Sequence, residues 1–418
     1  MYVKSRTTCR VSGKPLKQLA DLGNLHLSHF YKEKELDAPR GPLRIGIGEE
    51  SGLLQLMDTV DRDLMYRKYW YLSGTNSTMT QQLRDIVSVV PYWIRLKDGD
   101  VVLDIGCNDG TLLSQYPLGA KLVKVGIDPA MNIAERGKAS CDFHACDYFK
   151  KETFDNLTEG RKAKVITSIA MFYDLEDPTE FIRDIYDCLD DDGIWIMQLS
   201  YTPLMLKQNA FDNIIHEHLA YYSLISIDFL LKKFEMKILD VEFNDTNAGS
   251  FRLVVAKTSN PVKDAALFNK DIGAYRYAST YEYEKKMGVD QEGLFLEFIK
   301  RVKSIKSETL DMLSQLKKQG KKVFGYGAST KGNTLLQYYG LDSSLVQGIA
   351  ERQPQKFGML TPGSWIPIIS EEEMRKQRPD YLLVLPWHFF NEFYLREKDF
   401  LKSGGKYIVP LPELQVIG

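Results

Sequence analysis

Short apolar, β-rich runs alternate with helical stretches in two separate series along this chain, and that alternation restricts the fold more than any other feature. The first series is VVLDIG (101–106), KLVKVGID (121–128), KVITSIA (164–170) and GIWIMQLS (193–200), with helical patterns such as PTEFIRDIYDCL (178–189) between the runs. Alternating β and α elements imply a parallel sheet with helices on both faces. Two further runs, MKILDVEFN (236–244) and SFRLVVAKT (250–258), are expected to pair as an antiparallel edge. Residues 260–320 read as helical and charged. A second α/β series then starts with KKVFGYGAS (321–329), a helix through about Tyr339, LVQGIAE (345–351), YLLVLPW (381–387) and KYIVPLP (406–412). The first residues are Gly-punctuated (SGKPL, DLGNL, RGPL), which suggests short strands and turns. TMTQQLRDIVSVVPYW (78–93) reads as an amphipathic helix broken near Pro91. The expected fold class is α/β in three parts: an N-terminal module (1–77), a doubly wound central domain (78–258) and a C-terminal α/β domain (259–418).

Charge and cysteine usage remove several classes of function. Lys plus Arg is 54 and Asp plus Glu is 56, a near-neutral balance. A general nucleic-acid binder would show a basic excess or stripe. No apolar run reaches the roughly 18 residues of a membrane span, and the start, MYVKSRTTCRVSGK, lacks the apolar core of a secretory signal. The cysteines at 9, 107, 141, 146 and 188 are scattered and odd in number, which fits free thiols in a reducing cytoplasm. The expected partner is therefore a small molecule, not nucleic acid or membrane, bound by a monomer or small homo-oligomer.

The most informative local pattern is VVLDIGCNDGTLL. A strand ends at Asp104, and Gly106 and Gly110 flank Asn108 as they open a helix. Glycine lets the backbone turn tightly and approach a ligand that a Cβ would exclude. The spacing is Gly-x-x-x-Gly, not the GxGxxG of dinucleotide folds. It resembles the first motif of class I S-adenosylmethionine methyltransferases. The next strand ends in Asp128, where a carboxylate can accept both ribose hydroxyls. Asp147 follows a third strand, where such enzymes contact adenine. S-adenosylmethionine is the expected cofactor.

Four further stretches make the resemblance specific: YWYLSGTNSTM (69–79), FDNIIHEHLAYYSL (211–224), AGSFRLVVA (248–256), and GYGASTKGNTLLQYYG (325–340) with PGSWIPII (362–369). Together they resemble the sugar C-methyltransferase family, which acts on nucleotide-linked keto-deoxysugars. The resemblance implies a small zinc module, a central methyltransferase domain and a C-terminal Rossmann-like domain, with sugar nucleotide bound between the outer parts. One departure stands out. The family's zinc is held by two Cys pairs, but here the first pair reads Cys9-Arg10-Val11-Ser12, and Gly48 and Ser51 stand at the second. Four Cys or His ligands are needed. His26 and His29 are not at matching positions, so no metal is expected.

Methylation at a sugar carbon needs a base to take the proton beside the ketone, and donors or positive charge for the enolate oxygen. His216-Glu217-His218 lies beyond the fifth core strand, on the cofactor side. By resemblance, His218 is the base candidate and Glu217 orients it or holds the sugar; His216 supports the site. Relatives carry Tyr where Ile215 stands, and some carry His near Phe172 or Tyr173, so Tyr173, Tyr221 or Tyr222 is expected to replace a lost polar contact. The resemblance puts the loop of Tyr69, Tyr71 and Asn76 over the substrate. KKVFGYGASTKGN resembles a degenerate dinucleotide loop, with Gly325 and Gly327 in place and Thr330 where a third Gly would be. Backbone N–H groups at a helix start plus Lys331 make an anion site suited to a diphosphate. Tyr326, Asn333 and Glu351 complete the candidate substrate set, and Trp387 and His388 end a strand on the ligand side. An O-methyltransferase, or a non-catalytic sugar-nucleotide binding protein, is the alternative.

Overall fold

The structure is a computed structural model and describes residues 2–67, 72–75, 77–116 and 119–418. Its centre is a seven-stranded sheet built from β1 (Val101–Ile105), β2 (Val123–Ile127), β3 (Phe143–Ala145), β4 (Ala163–Ile169), β5 (Leu189–Ser200), β6 (Met236–Asn244) and β7 (Ser250–Lys257). The spatial order is β6-β7-β5-β4-β1-β2-β3. The first five strands run parallel, and β7 pairs antiparallel with both β5 and β6. The expected antiparallel edge is therefore present.

Both faces of this sheet are buried, which is why its strands read as continuous apolar runs. Leu103, Ile166, Trp195 and Leu253 face one layer; Val102, Val165, Ile196 and Val254 face the other. Trp195 is fully buried and its indole N–H donates to Ser168 Oγ at 2.9 Å, so its polar atom is not stranded. The helix Ser77–Trp93 covers the second layer and runs through Pro91 instead of breaking there. A proline so near the end forfeits only one backbone bond, and Val90, Trp93 and Ile94 stay buried and hold the last turn. The helix Pro178–Cys188 starts as the sequence suggests, with Pro178 in its first turn and the Asp177 carboxylate accepting from the N–H groups of Thr179 and Glu180.

Besides a two-stranded pairing of Val3–Ser5 with Asp58–Val60, two smaller sheets flank the centre. The N-terminal one holds Leu16–His26, Arg40–Gly48 and Leu54–Leu56 and, as a fourth strand, Ala220–Tyr221. That last strand begins one residue after the His-Glu-His triplet, so a segment of the central part of the chain completes the N-terminal sheet. The C-terminal sheet has the order Ile368–Ser370, Ile349–Glu351, Val323–Tyr326, Tyr381–Val384, Lys406–Val409, Gln415–Ile417, parallel except for the last strand. Two long helices, Leu267–Met287 and Glu292–Lys318, lead into it.

Candidate active site

The cofactor loop forms where β1 ends. Gly106 and Gly110 both have left-handed φ, +73° and +76°. A Cβ on Gly110 would lie 2.5 Å from Ser140 Cβ, so only glycine lets the loop close onto the next helix. Asn108 also has a positive φ, +52°; its N–H donates to Asp128 Oδ2 at 2.9 Å and its Oδ1 accepts from Ser73 N–H at 3.0 Å. The other Asp128 oxygen accepts from Ala130 N–H at 2.8 Å. Each carboxylate oxygen has a second lone pair, so Asp128 can still accept the two ribose hydroxyls while tying the loop together. Burial raises its pKa, and the two backbone bonds oppose that. Asp147 is exposed and accepts its neighbour's N–H at 2.8 Å. The cradle and its acceptors fit S-adenosylmethionine.

Asp104 is buried at the end of β1, and Thr167 Oγ1 donates to it at 2.6 Å. Burial pushes its pKa up to about 7, despite that hydrogen bond. A carboxyl held above its ordinary value favours the folded state most when protonated, below about pH 4. That contribution is lost as pH rises through about 7. Thermal unfolding between pH 5 and pH 8 should therefore show wild type losing more stability than Asp104→Asn, which keeps an acceptor for Thr167. Parallel profiles would contradict this.

The His-Glu-His triplet does not act as a unit. A turn at 216–217 sends its two imidazoles apart. His216 is buried against the N-terminal sheet, with Nε2 2.8 Å from Gly41 O. Burial lowers its pKa to about 4. It is a strut between modules, which corrects its placement among the catalytic candidates. His218 instead lines a small pocket with Tyr173, Ser200, Thr202, Met205, Asn213, Ala220 and Tyr221. Its Nδ1 is 2.9 Å from Asn213 O. A carbonyl only accepts, so Nδ1 carries the proton and Nε2 the lone pair. The Tyr173 ring meets the imidazole edge-on, 4.5 Å between centroids. Burial first, and then the nearby Lys331 ammonium, lowers the His218 pKa to about 3.

Of the paired tyrosines, one lines this pocket and the other packs into the central core. Tyr221 lines it, whereas Tyr222 packs on Phe172 at 5.2 Å and is fully buried in the sheet's core. The structure therefore places Tyr222, expected in the catalytic set, away from the pocket, and Tyr221 and Tyr173 beside His218. Glu217 is held from behind: Tyr66 OH donates to its carbonyl at 3.0 Å. Its Oε2 is buried with no hydrogen-bond partner among the described residues, and burial raises its pKa to about 7. Burial first, and then the nearby Glu217 carboxyl, raises the Asp174 pKa well above the ordinary carboxylate range. The orienting partner of His218 is the Asn213 carbonyl rather than Glu217, a contact that a side-chain motif does not display.

The C-terminal domain brings Lys331 to the same place. Lys331 and Asn333 sit on the helix Thr330–Tyr339, whose start is capped by Ser329 Oγ accepting from Gly332 N–H at 3.0 Å. The Lys331 ammonium acts on Asp212, His218 and His388. The amide nitrogen of Asn333 and Nδ1 of His388 are buried without a hydrogen-bond partner among the described residues. Two other candidates are already engaged. Tyr326 OH bonds Glu371 Oε1 at 2.7 Å and Glu397 Oε1 at 2.9 Å, inside the C-terminal core, so it is not a substrate contact. Glu351 accepts from the N–H groups of Ala328, Arg352 and Gln353 and shapes the loop from within. Tyr69, Tyr71 and Asn76 lie outside the described residues. The loop between them touches the cofactor side: Gly74 N–H donates to Asp109 Oδ2 at 2.8 Å.

The family's zinc positions still converge. A Cβ on Gly48 would lie 2.7 Å from Cys9 Sγ and 2.8 Å from Ser51 Oγ. Cys9 Sγ is 3.3 Å from Ser51 Oγ and accepts from Gln55 Nε2 at 3.1 Å. One thiol, two hydroxyls and a glycine do not fit a tetrahedral zinc, and a hydrogen-bonded cluster occupies the place. Purified protein should contain far less than one zinc per chain and keep its fold in chelator. A full equivalent of zinc by elemental analysis, with unfolding on its removal, would contradict this.

Three family models match the chain: "Putative zinc binding domain" over residues 9–66, "Methyltransferase domain" over 76–241 and "C-methyltransferase C-terminal domain" over 245–412. The C-methyltransferase NovU of Streptomyces niveus is 30% identical over 383 residues, covering 90% of this chain and 87% of NovU. Sphingolipid C9-methyltransferase 1 of Gibberella zeae is 30% identical over a shorter stretch, 29% of this chain and 25% of that one. Among solved structures, the plantazolicin methyltransferase BpumL in complex with SAH superposes on 44% of this chain and 87% of its own, with TM-score 0.35 and 13% identity.

Proposed function

The chain belongs to the sugar C-methyltransferase family, and we propose that it methylates a ring carbon of a nucleotide-activated keto-deoxysugar. It is a methyltransferase that uses S-adenosylmethionine, which when bound supplies an electrophilic sulfonium methyl. On this reading the Gly106–Gly110 loop and Asp128 hold the cofactor's nucleoside and methionine parts, and Asp147 lies beside the adenine. Nε2 of His218 takes the proton from the carbon next to the sugar ketone. The pocket hydroxyls of Tyr173 and Tyr221 donate to the enolate oxygen. Lys331 and the start of its helix face the diphosphate, with Asn333 alongside. A diphosphate there would offset the Lys331 charge that disfavours a protonated His218.

The observation that carries the reading is the tautomer of His218. Its Nδ1–H is committed to the Asn213 carbonyl, so Nε2 carries the lone pair of a proton acceptor in a pocket that Tyr173 and Tyr221 also line. A small-molecule substrate also suits the near-neutral charge. Among the described residues no helix is long and apolar enough to cross a membrane. The free cysteines suit a reducing compartment, so the proposal places the reaction in the cytoplasm.

The test offers the protein S-adenosylmethionine and a panel of nucleotide-linked keto-deoxysugars in deuterated water, read by mass spectrometry. The expected product has a methyl on carbon, and unreacted sugar gains deuterium beside the ketone. A methyl on oxygen without deuterium uptake would favour the O-methyltransferase alternative.

A further inference from the structure

The carbonyl that orients His218 belongs to Asn213, within the short turn Phe211–Asn213, and that turn is anchored on the C-terminal domain. The Asp212 carboxylate, almost fully buried, accepts from the Trp387 indole N–H at 3.1 Å, across 175 residues of sequence. Phe211 stacks on Tyr339 with 5.4 Å between centroids and 21° between planes. Just upstream, Asn209 Nδ2 donates to Pro412 O at 3.0 Å. A buried hydrogen bond to a charged acceptor is among the stronger side-chain contacts. Nearest to the orienting carbonyl in sequence is the Asp212–Trp387 pair, one residue away.

We propose that Asp212 and Trp387 are positioning residues: their hydrogen bond fixes the turn whose Asn213 carbonyl holds His218 in the Nδ1–H tautomer. The C-terminal domain then does more than bind the sugar nucleotide. It sets the protonation pattern of a histidine carried by another part of the chain. The functional value of this rests on the reading of His218 as the base, whereas the structural claim does not.

The two are separable by experiment. Full-length protein labelled with ¹⁵N-histidine reports tautomers through long-range ¹H–¹⁵N couplings, and His218→Asn assigns the His218 signals by their loss. Wild type should show His218 as a single Nδ1–H tautomer. Trp387→Phe, which removes the indole donor and keeps an aromatic ring of smaller size, should give a mixture of tautomers. Asp212→Asn keeps an oxygen acceptor for the indole and should keep the single tautomer, whereas Asp212→Ala should not; the alanine variant also stands in if Trp387→Phe does not fold. Turnover in Trp387→Phe should fall about 10²-fold, the scale of a small misplacement of a reacting group, with calorimetric affinity for S-adenosylmethionine unchanged. An unchanged tautomer in Trp387→Phe overturns the proposal. So does loss of the tautomer in Asp212→Asn, because charge rather than the indole bond would then hold the turn. A tautomer that scrambles while turnover stays the same upholds the positioning and instead removes His218 as base.

Discussion

His218→Ala is expected to lose turnover by about 10²–10⁴-fold, the usual cost of removing a general base, while affinity for the sugar nucleotide stays nearly intact. A base acts mainly in the transition state, so its loss lowers kcat more than it weakens binding. The geometry sharpens this expectation. The imidazole is fixed by one bond to the Asn213 carbonyl and by the edge-on contact with the Tyr173 ring, so alanine leaves a small space and does not unpair a network. Glu217→Gln should cost less. It keeps the shape behind the pocket and removes a charge that burial already disfavours. His216→Ala should act on stability rather than chemistry, because its contact is to Gly41 in the N-terminal sheet. A large loss of sugar-nucleotide affinity in His218→Ala, with kcat retained, would mark His218 as a binding group.

Asp128→Ala should weaken S-adenosylmethionine binding about 10²-fold. Hydrogen bonds to charged groups are worth roughly 1.5–3 kcal/mol each, and about 1.4 kcal/mol is tenfold in affinity. Two losses are combined here. The ribose loses its acceptor, and the N–H groups of Asn108 and Ala130 lose the carboxylate that shapes the loop. Asp128→Asn should fall between, since one oxygen remains while the amide nitrogen faces a backbone donor. Calorimetry showing unchanged affinity in Asp128→Ala would move the cofactor's ribose elsewhere.

Sequence was most legible where chemistry is local. Asp104, Gly106, Asn108 and Gly110 fall within seven consecutive residues, and the positive φ values at both glycines are what the spacing demands. The edge strands Met236–Asn244 and Ser250–Lys257 were readable because each is rich in β-branched and aromatic residues and the two are separated by a short polar turn. The triplet at 216–218 was harder. Its residue types suggested one site, but a turn inside it separates the two imidazoles. No local pattern could reveal the Asn213 carbonyl, a backbone atom, or the Asp212–Trp387 bond, which joins distant segments. Tyr326 misled for the same reason, since its hydroxyl is taken by Glu371 and Glu397 far along the chain. The zinc positions show both outcomes. Missing ligands were visible at Ser12, Gly48 and Ser51, but the amide of Gln55 that bonds the remaining thiol was not.

The most direct measurement follows hydrogen exchange at the reacting carbon without methyl transfer. A nucleotide-linked keto-deoxysugar deuterated beside its ketone is incubated with the protein and S-adenosylhomocysteine in ordinary water, and deuterium loss is followed by mass spectrometry. Wild type is predicted to wash the label out and His218→Ala to retain it. Equal washout in both would contradict the assignment of His218 as the carbon base and leave Tyr173 or Tyr221 as the proton acceptor.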